Sequence, residues 1–170
     1  MVRLYVIGLM VVLSFGQLHS QVPKESKQIF GKWSVSLTER DNTPVQNKKT
    51  GRILIRLEGD SILMSVEDEY GNYEPRLRFP QTPKKSGPNG LYYEWVNTTI
   101  DDDGDTIDYH KFVSFTDIKK PRIQIRIGDR PHIRSESKGP VDTWTESYRE
   151  KYRQTHESRT SSVLTGQRVK

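Results

Sequence analysis

Cysteine is absent from all 170 residues. No disulfide framework can brace the chain, which excludes the small cystine-stapled toxins and growth-factor-like modules, and there is no lipobox for lipid attachment. Stability must come from a packed core. Past the first twenty residues there is also no apolar run of the ~20 residues needed to span a membrane. Charge of one sign is not in great excess: the net charge is +5, with 22 acids interleaved among 27 bases. A nucleic-acid binder gathers its basic residues on one face. The interleaving here reads as an ordinary solvated surface, with no nucleic-acid partner.

Catalytic signatures are missing too. No G-x-S-x-G elbow, P-loop or dinucleotide fingerprint occurs. His110, His132 and His156 stand singly, without zinc-ligand spacing. Asp108 and Glu94 fall on neighbouring expected strands, but nothing separates them from outward-facing charge. The chain is read as a non-enzyme without a cofactor.

What is present at the start is a leader. Arg3 supplies a positive start, Leu4 to Phe15 is apolar, and a small residue, Ser20, precedes Gln21. This is the pattern of a secretory signal peptide over residues 1–20, cleaved after Ser20, which predicts a secreted or periplasmic protein. The mature chain reads as one domain over residues 21–155, followed by a polar, aperiodic tail over 156–170 expected to be disordered.

Within the domain, apolar and polar residues alternate with the period of half-buried strands. Trp33, Val35 and Leu37 share one side of the first. Ile53 and Ile55, then Ile62, Met64 and Val66, form a hairpin around Glu58–Asp60. A proline-rich stretch, Pro80 to Gly90, reads as a long loop. Tyr93 and Trp95 share a face of one later strand, Tyr109, Lys111, Val113 and Phe115 of the next. Ile123, Ile125 and Ile127 follow, with a last short strand after "GDRP". Eight strands with mostly short connections predict an antiparallel meander closed into an up-and-down barrel, leaving no edge. After Pro140, Trp144, Tyr148 and Tyr152 recur at helical spacing as a packing face. Thr143 and Glu146 fit a capping box, predicting an amphipathic helix over about 143–154 on the barrel's outside.

Three short motifs occur together in this order: Gly31-x-Trp33 at the first strand, Thr116-Asp117-Ile118 in a late turn, and Arg134 before the helix. In this the chain resembles the lipocalins and the wider calycin group. It departs from them in Ile118, where tyrosine is usual, and in lacking the family's common disulfide. The resemblance implies that Trp33 closes the narrow end of a barrel with Arg134 across its ring. Gly31, Thr116 and Asp117 would belong to the same closure, and any ligand would enter at the open end.

The acidic turn Asp101, Asp102, Asp103, Gly104, Asp105 offers hard oxygen ligands of the kind calcium takes. The EF-hand's twelfth position falls on Phe112, which cannot ligate, so a solvated hairpin turn is the plainer reading. Asn97-Thr98-Thr99 is a glycosylation sequon inside an expected strand.

The functional expectation is an exported protein holding a small hydrophobic molecule. Val35, Leu37, Ile53, Ile55, Met64, Val66, Tyr93, Trp95, Phe112, Ile123 and Ile125 are its candidate contacts, and Tyr93 a polar anchor. All of these equally serve as plain core. With only 32% hydrophobic residues, the alternative is an interaction module with a filled barrel that docks a partner protein through its loops, acidic turn or helix.

Overall fold

Period-two alternation lays down one curled antiparallel sheet. The computed structural model describes residues 22–88, 90–118, 121–134 and 140–169; the expected leader and its cleavage point lie outside them. The strands are β1 (Gly31–Arg40), β2 (Thr43–Pro44), β3 (Thr50–Glu58), β4 (Ser61–Glu67), β5 (Tyr73–Pro80), β6 (Lys85–Gly87), β7 (Gly90–Ile100), β8 (Thr106–Thr116), β9 (Arg122–Ile133) and β10 (Thr160–Arg168). A helix, α1 (Glu146–Glu157), separates β9 from β10. The spatial order is β5-β4-β3-β1-β10-β9-β8-β7-β6, with β2 paired to β1.

The all-β class, the antiparallel pairing and the C-terminal helix match expectation. Closure does not. Among the described residues no ladder joins β5 to β6 or β7, so ten strands form an open half-barrel where eight strands and a closed ring were expected. Pro75 and Pro80 leave β5 short of donors on this edge. Side chains span the gap instead. Phe79 of β5 packs edge-on against Tyr93 of β7, ring centroids 4.9 Å apart, and lies 6.1 Å from Trp95. The lead-in turn Ser26–Ile29 helps: the Tyr93 hydroxyl donates to Ser26 Oγ at 2.8 Å, and Ser26 donates in turn to the Gln81 carbonyl at 3.4 Å.

The expected disordered tail is corrected outright. Residues Thr160–Arg168 form β10, inserted between β1 and β9. The segment has little apolar alternation because it is sandwiched tightly. A Cβ on Gly166 would stand 2.7 Å from Val35 Cγ1 and 2.8 Å from the Ser34 carbonyl oxygen. Small residues admit the strand; large ones would push its neighbours apart.

Two further corrections concern β9 and α1. The "GDRP" expected as a turn runs through as strand, merging two expected strands into β9. Gly128 is required there because its Cβ would meet the Thr160 carbonyl at 2.5 Å and the Phe112 ring at 2.6 Å. Pro131 falls past the Thr160–Asp129 pair where β10 begins, so β9 there has β8 as its only ladder neighbour. The helix starts later than expected, capped by Thr145, whose hydroxyl accepts from the Tyr148 amide at 3.3 Å. Thr143 instead donates to the Pro140 carbonyl.

Trp33 seals one pole. Its ring is 1% exposed and its indole N–H donates to the Ile29 carbonyl at 2.9 Å. The arginine over it is Arg168, at 4.9 Å from the ring, and not Arg134. Arg168 also donates to the Gln28 and Phe30 carbonyls at 2.7 and 2.9 Å. It can reach because β10 pairs Arg168 directly with Trp33. Arg134 lies just past β9's far end, where it grips Asp108. Removing Arg168 with alanine should cost about 1–3 kcal/mol, combining a cation–π contact with charge-assisted hydrogen bonds. Gly166→Ala should cost a similar ~1–3 kcal/mol through overpacking against backbone. Urea denaturation reads both, and an unchanged midpoint for either variant would contradict this account of the seam.

Candidate functional site

Alternation and register define the concave face strand by strand. Trp33 and Val35 of β1, Ile53 and Ile55 of β3, Ile62 and Met64 of β4, Tyr93 of β7, Val113 and Phe115 of β8, and Ile123 and Ile125 of β9 all point into one packed cluster. Leu77, Trp95, Ile127 and Leu164 pack against it while remaining partly open. The face is therefore graded. The Trp33 end is solid, and the other end carries half-covered apolar side chains.

Beyond those side chains the concave face turns polar. On β8 and β9, Lys111 and Asp129 are cross-strand partners in line with Trp95 of β7. Thr160, entering β10, donates its hydroxyl to Asp129 at 2.7 Å. A hollow of about 150 Å³ lies between Leu77, Trp95, Ile127, Lys111, Asp129 and Ser162. Trp95 is shared with a hollow of about 500 Å³ on the β5 side, and Lys111 and Asp129 with one of about 600 Å³ toward Tyr109. Asn97 borders both outer hollows. This mouth, with an apolar floor and a polar rim, is the candidate site.

The expected contact residues divide accordingly. Val35, Ile53, Ile55, Met64, Tyr93, Ile123 and Ile125 are buried in the packed cluster, and Val66 is partly buried against it. Tyr93 spends its hydroxyl on Ser26, and burial pushes its pKa up. Leu37 is half-buried on the same face. Trp95 alone of the set lies on the apolar floor of the hollow. Phe112 alternates with Val113, so its ring stacks on Tyr92 at 6.3 Å and under Arg130 on the convex side, even though the residue borders the hollow. Lys111, Asp129, Thr160 and Ser162 escaped the sequence reading. Lys111 had been grouped on one face of its strand with Tyr109, Val113 and Phe115, which was the available signal, but Phe112 on the opposite face had been taken as the inward contact; β10 was not seen at all.

Of the expected closure residues, Gly31 takes a φ of 125° at the start of β1, and Asp117 one of 60° in the late turn. Thr116 donates to Gln124 at 3.3 Å, and Ile118 is buried in the core. A second hollow, of about 560 Å³, lies by Asp117, Arg122 and Gln124. It is lined mostly by polar residues, with Ile123 the one large apolar side chain among them.

The acidic turn is already occupied by a cation of the chain's own. Asp101 accepts the Asp103 and Asp105 amides, folding the turn so that three carboxylates converge. Lys151 of α1 places its ammonium among them, at 2.7 Å from Asp101, 2.6 Å from Asp103 and 2.8 Å from Asp105. Asp102 stays exposed in the turn. The position a calcium ion would take is filled by Lys151. Nearby, Arg134 grips Asp108 at 2.6 and 3.0 Å, and its hydrogen bonds hold that carboxyl below the usual range.

No family model matches the chain, and no curated protein or solved structure matches it. The antiparallel half-barrel is only loosely compatible with the lipocalin-like resemblance read from the motifs.

The Lys151 latch has a definite pH signature. Its hydrogen bonds to Asp101, Asp103 and Asp105 raise the lysine's pKa, and the Lys151 hydrogen bond lowers that of Asp101. Stability from Asp101 is thus complete above the ordinary value of about 3.9 and lost as pH falls through its lower folded value. Stability from Lys151 is complete below about 10.4 and lost only on climbing through its higher folded value. Melting curves should therefore separate wild type from Lys151→Met at neutral pH, and the gap should shrink as pH falls below about 4. A gap that stays constant down to acid would rule the latch out.

Proposed function

We propose that this chain is an exported, non-enzymatic binding protein of lipocalin-like architecture, which carries a small molecule with an apolar body and a polar end. The ligand lies at the open mouth of the half-barrel. Its body rests on Leu77, Trp95 and Ile127, and its polar end meets Lys111, Asp129 and the hydroxyls of β10. The observation that carries this reading is the grading of the concave face, from solid core to a hollow with a polar rim. Ligand sites characteristically combine an apolar lining with a few placed polar groups over about 300–1,000 Å³. The inner hollow alone is smaller than that, so the ligand extends into the flanking hollows that share Trp95, Lys111 and Asp129. Export rests on the leader pattern of residues 1–20. Among the described residues no helix is long and apolar enough to cross a membrane.

A second reading has an observation of its own. Most of the expected contact residues are packed core, which favours a filled barrel that docks a partner protein through its loops, the acidic turn or α1.

Organic extraction of purified protein with mass spectrometry, and titration with a fluorescent fatty-acid probe, separate the two. The ligand reading expects a stoichiometric small molecule or probe uptake that quenches tryptophan fluorescence. Trp95→Ala should then weaken probe binding by about tenfold, or ~1.4 kcal/mol. A clean extract together with no probe uptake would leave the docking reading in its place.

A further inference from the structure

We propose that His132 and His156 form a site for a zinc(II)-class transition-metal ion, which clamps α1 to β9. The two residues are 24 apart in sequence and show no ligand spacing, yet folding brings His156 Nε2 to 2.5 Å from His132 Nδ1. That is closer than the ~2.7 Å lower end of ordinary N–H···O hydrogen bonds. Two nitrogens each bound to tetrahedral zinc at about 2.0–2.1 Å stand roughly 3.3 Å apart. Opening the contact by less than about 1 Å admits the ion between them.

The tautomers suit this role. His156 Nδ1 lies 2.8 Å from the Tyr152 carbonyl, which only accepts, so Nδ1 carries the proton and Nε2 presents a bare lone pair toward His132. A histidine ligand whose other nitrogen donates to a backbone carbonyl is a usual arrangement in metal sites. His132 Nδ1 now donates its proton to that lone pair. On metal binding the proton moves to the ring's other nitrogen, and because His132 is exposed, water can carry it. The ion takes the place of a shared hydrogen.

The surroundings leave coordination positions open. His110 stands next on the same convex face, its ring centroid 6.5 Å from that of His132. Asp108, the cross-strand partner of His132, is held by Arg134 and Thr98. Water, or His110 after a side-chain rotation, completes the shell. Imidazole nitrogens select zinc, copper or nickel over calcium, which keeps this site chemically distinct from the acidic turn.

Titration of the full mature chain with zinc chloride tests the proposal, read by calorimetry and by thermal melting. Expected are one equivalent bound, a raised melting temperature, and at least a tenfold loss of affinity in His132→Asn and in His156→Asn. Asp103→Asn should bind as wild type does. Cobalt(II) substitution should give the visible absorption of a nitrogen-ligated tetrahedral ion, lost in the same variants. His132 is exposed, so His132→Asn carries the test where His156→Asn fails to fold. No heat or melting shift at about 1 mM zinc, affinity unchanged in both histidine variants, or affinity lost in Asp103→Asn would each overturn it.

Discussion

Between β1 and β9 lies the strand made from the last residues of the chain, and the half-barrel depends on that insertion. Without β10, the sheet divides into a β5-β4-β3-β1 part and a β9-β8-β7-β6 part with no ladder between them. The seam needs small side chains, since backbone and Val35 crowd the Gly166 position from one side and the Phe112 ring occupies the Gly128 position next door. It also delivers Arg168 to the Trp33 ring. β1 and β10 pair across more than a hundred and twenty residues of sequence, and much of the stabilising contact is likewise non-local. Such topologies fold slowly for their size.

At the opposite side of the curl, hydrogen bonding gives way to aromatic packing. Phe79, Tyr93 and Phe115 bring the two ends of the sheet together in mutual contacts of 4.9 to 6.0 Å. This holds the gap at its closed end but leaves β5 and β7 free to diverge beyond Trp95, and the hollows begin there. A complete ladder would have continued the core to the rim. The open edge is also protected from pairing with other chains, because β5 carries two prolines and the charged Arg76 and Arg78. The same incompleteness produces both the mouth and the need to guard the edge.

Legibility in the sequence follows the strength of alternation. β1, β3, β7, β8 and the first half of β9 were legible because one face meets the core and the other is more open; β4 was legible from Ile62, Met64 and Val66 although Leu63 and Ser65 on its other face are buried too. Their inward residues were assigned correctly, Phe112 excepted. β10 was invisible because a strand pressed between two neighbours is chosen for smallness, and Ser161, Ser162, Thr165 and Gly166 look like a solvated tail. Gly128 and Pro131 resembled a turn for a related reason: one is excluded from bearing a side chain by Phe112, and the other sits where β10 no longer runs alongside. The arginine over Trp33 was sought at Arg134 because the lipocalin-like resemblance puts it shortly before the helix; Arg168 lay in the stretch read as a tail. Trp95 and the face Lys111 shares with Val113 and Phe115 were readable, but Thr160 and Ser162 could not be joined to them without β10.

The helix is attached differently from everything else. None of the residues of α1 is fully buried, so apolar burial, which holds the sheet, contributes little to its docking. Its tethers are polar: Lys151 in the acidic turn, Arg149 on the Asp142 carbonyl, and His156 against His132. Trp144, buried just ahead of the helix, adds one apolar anchor through its edge-on contact with Tyr148 and its tilted contact with Tyr152. Polar tethers respond to protons and salt more than the backbone ladder of β1, β10 and β9 does. The chain thus places an element held mainly by polar contacts between two strands held by a continuous backbone ladder. Folds commonly draw their low-stability segments from elements held in this way, with few buried apolar contacts.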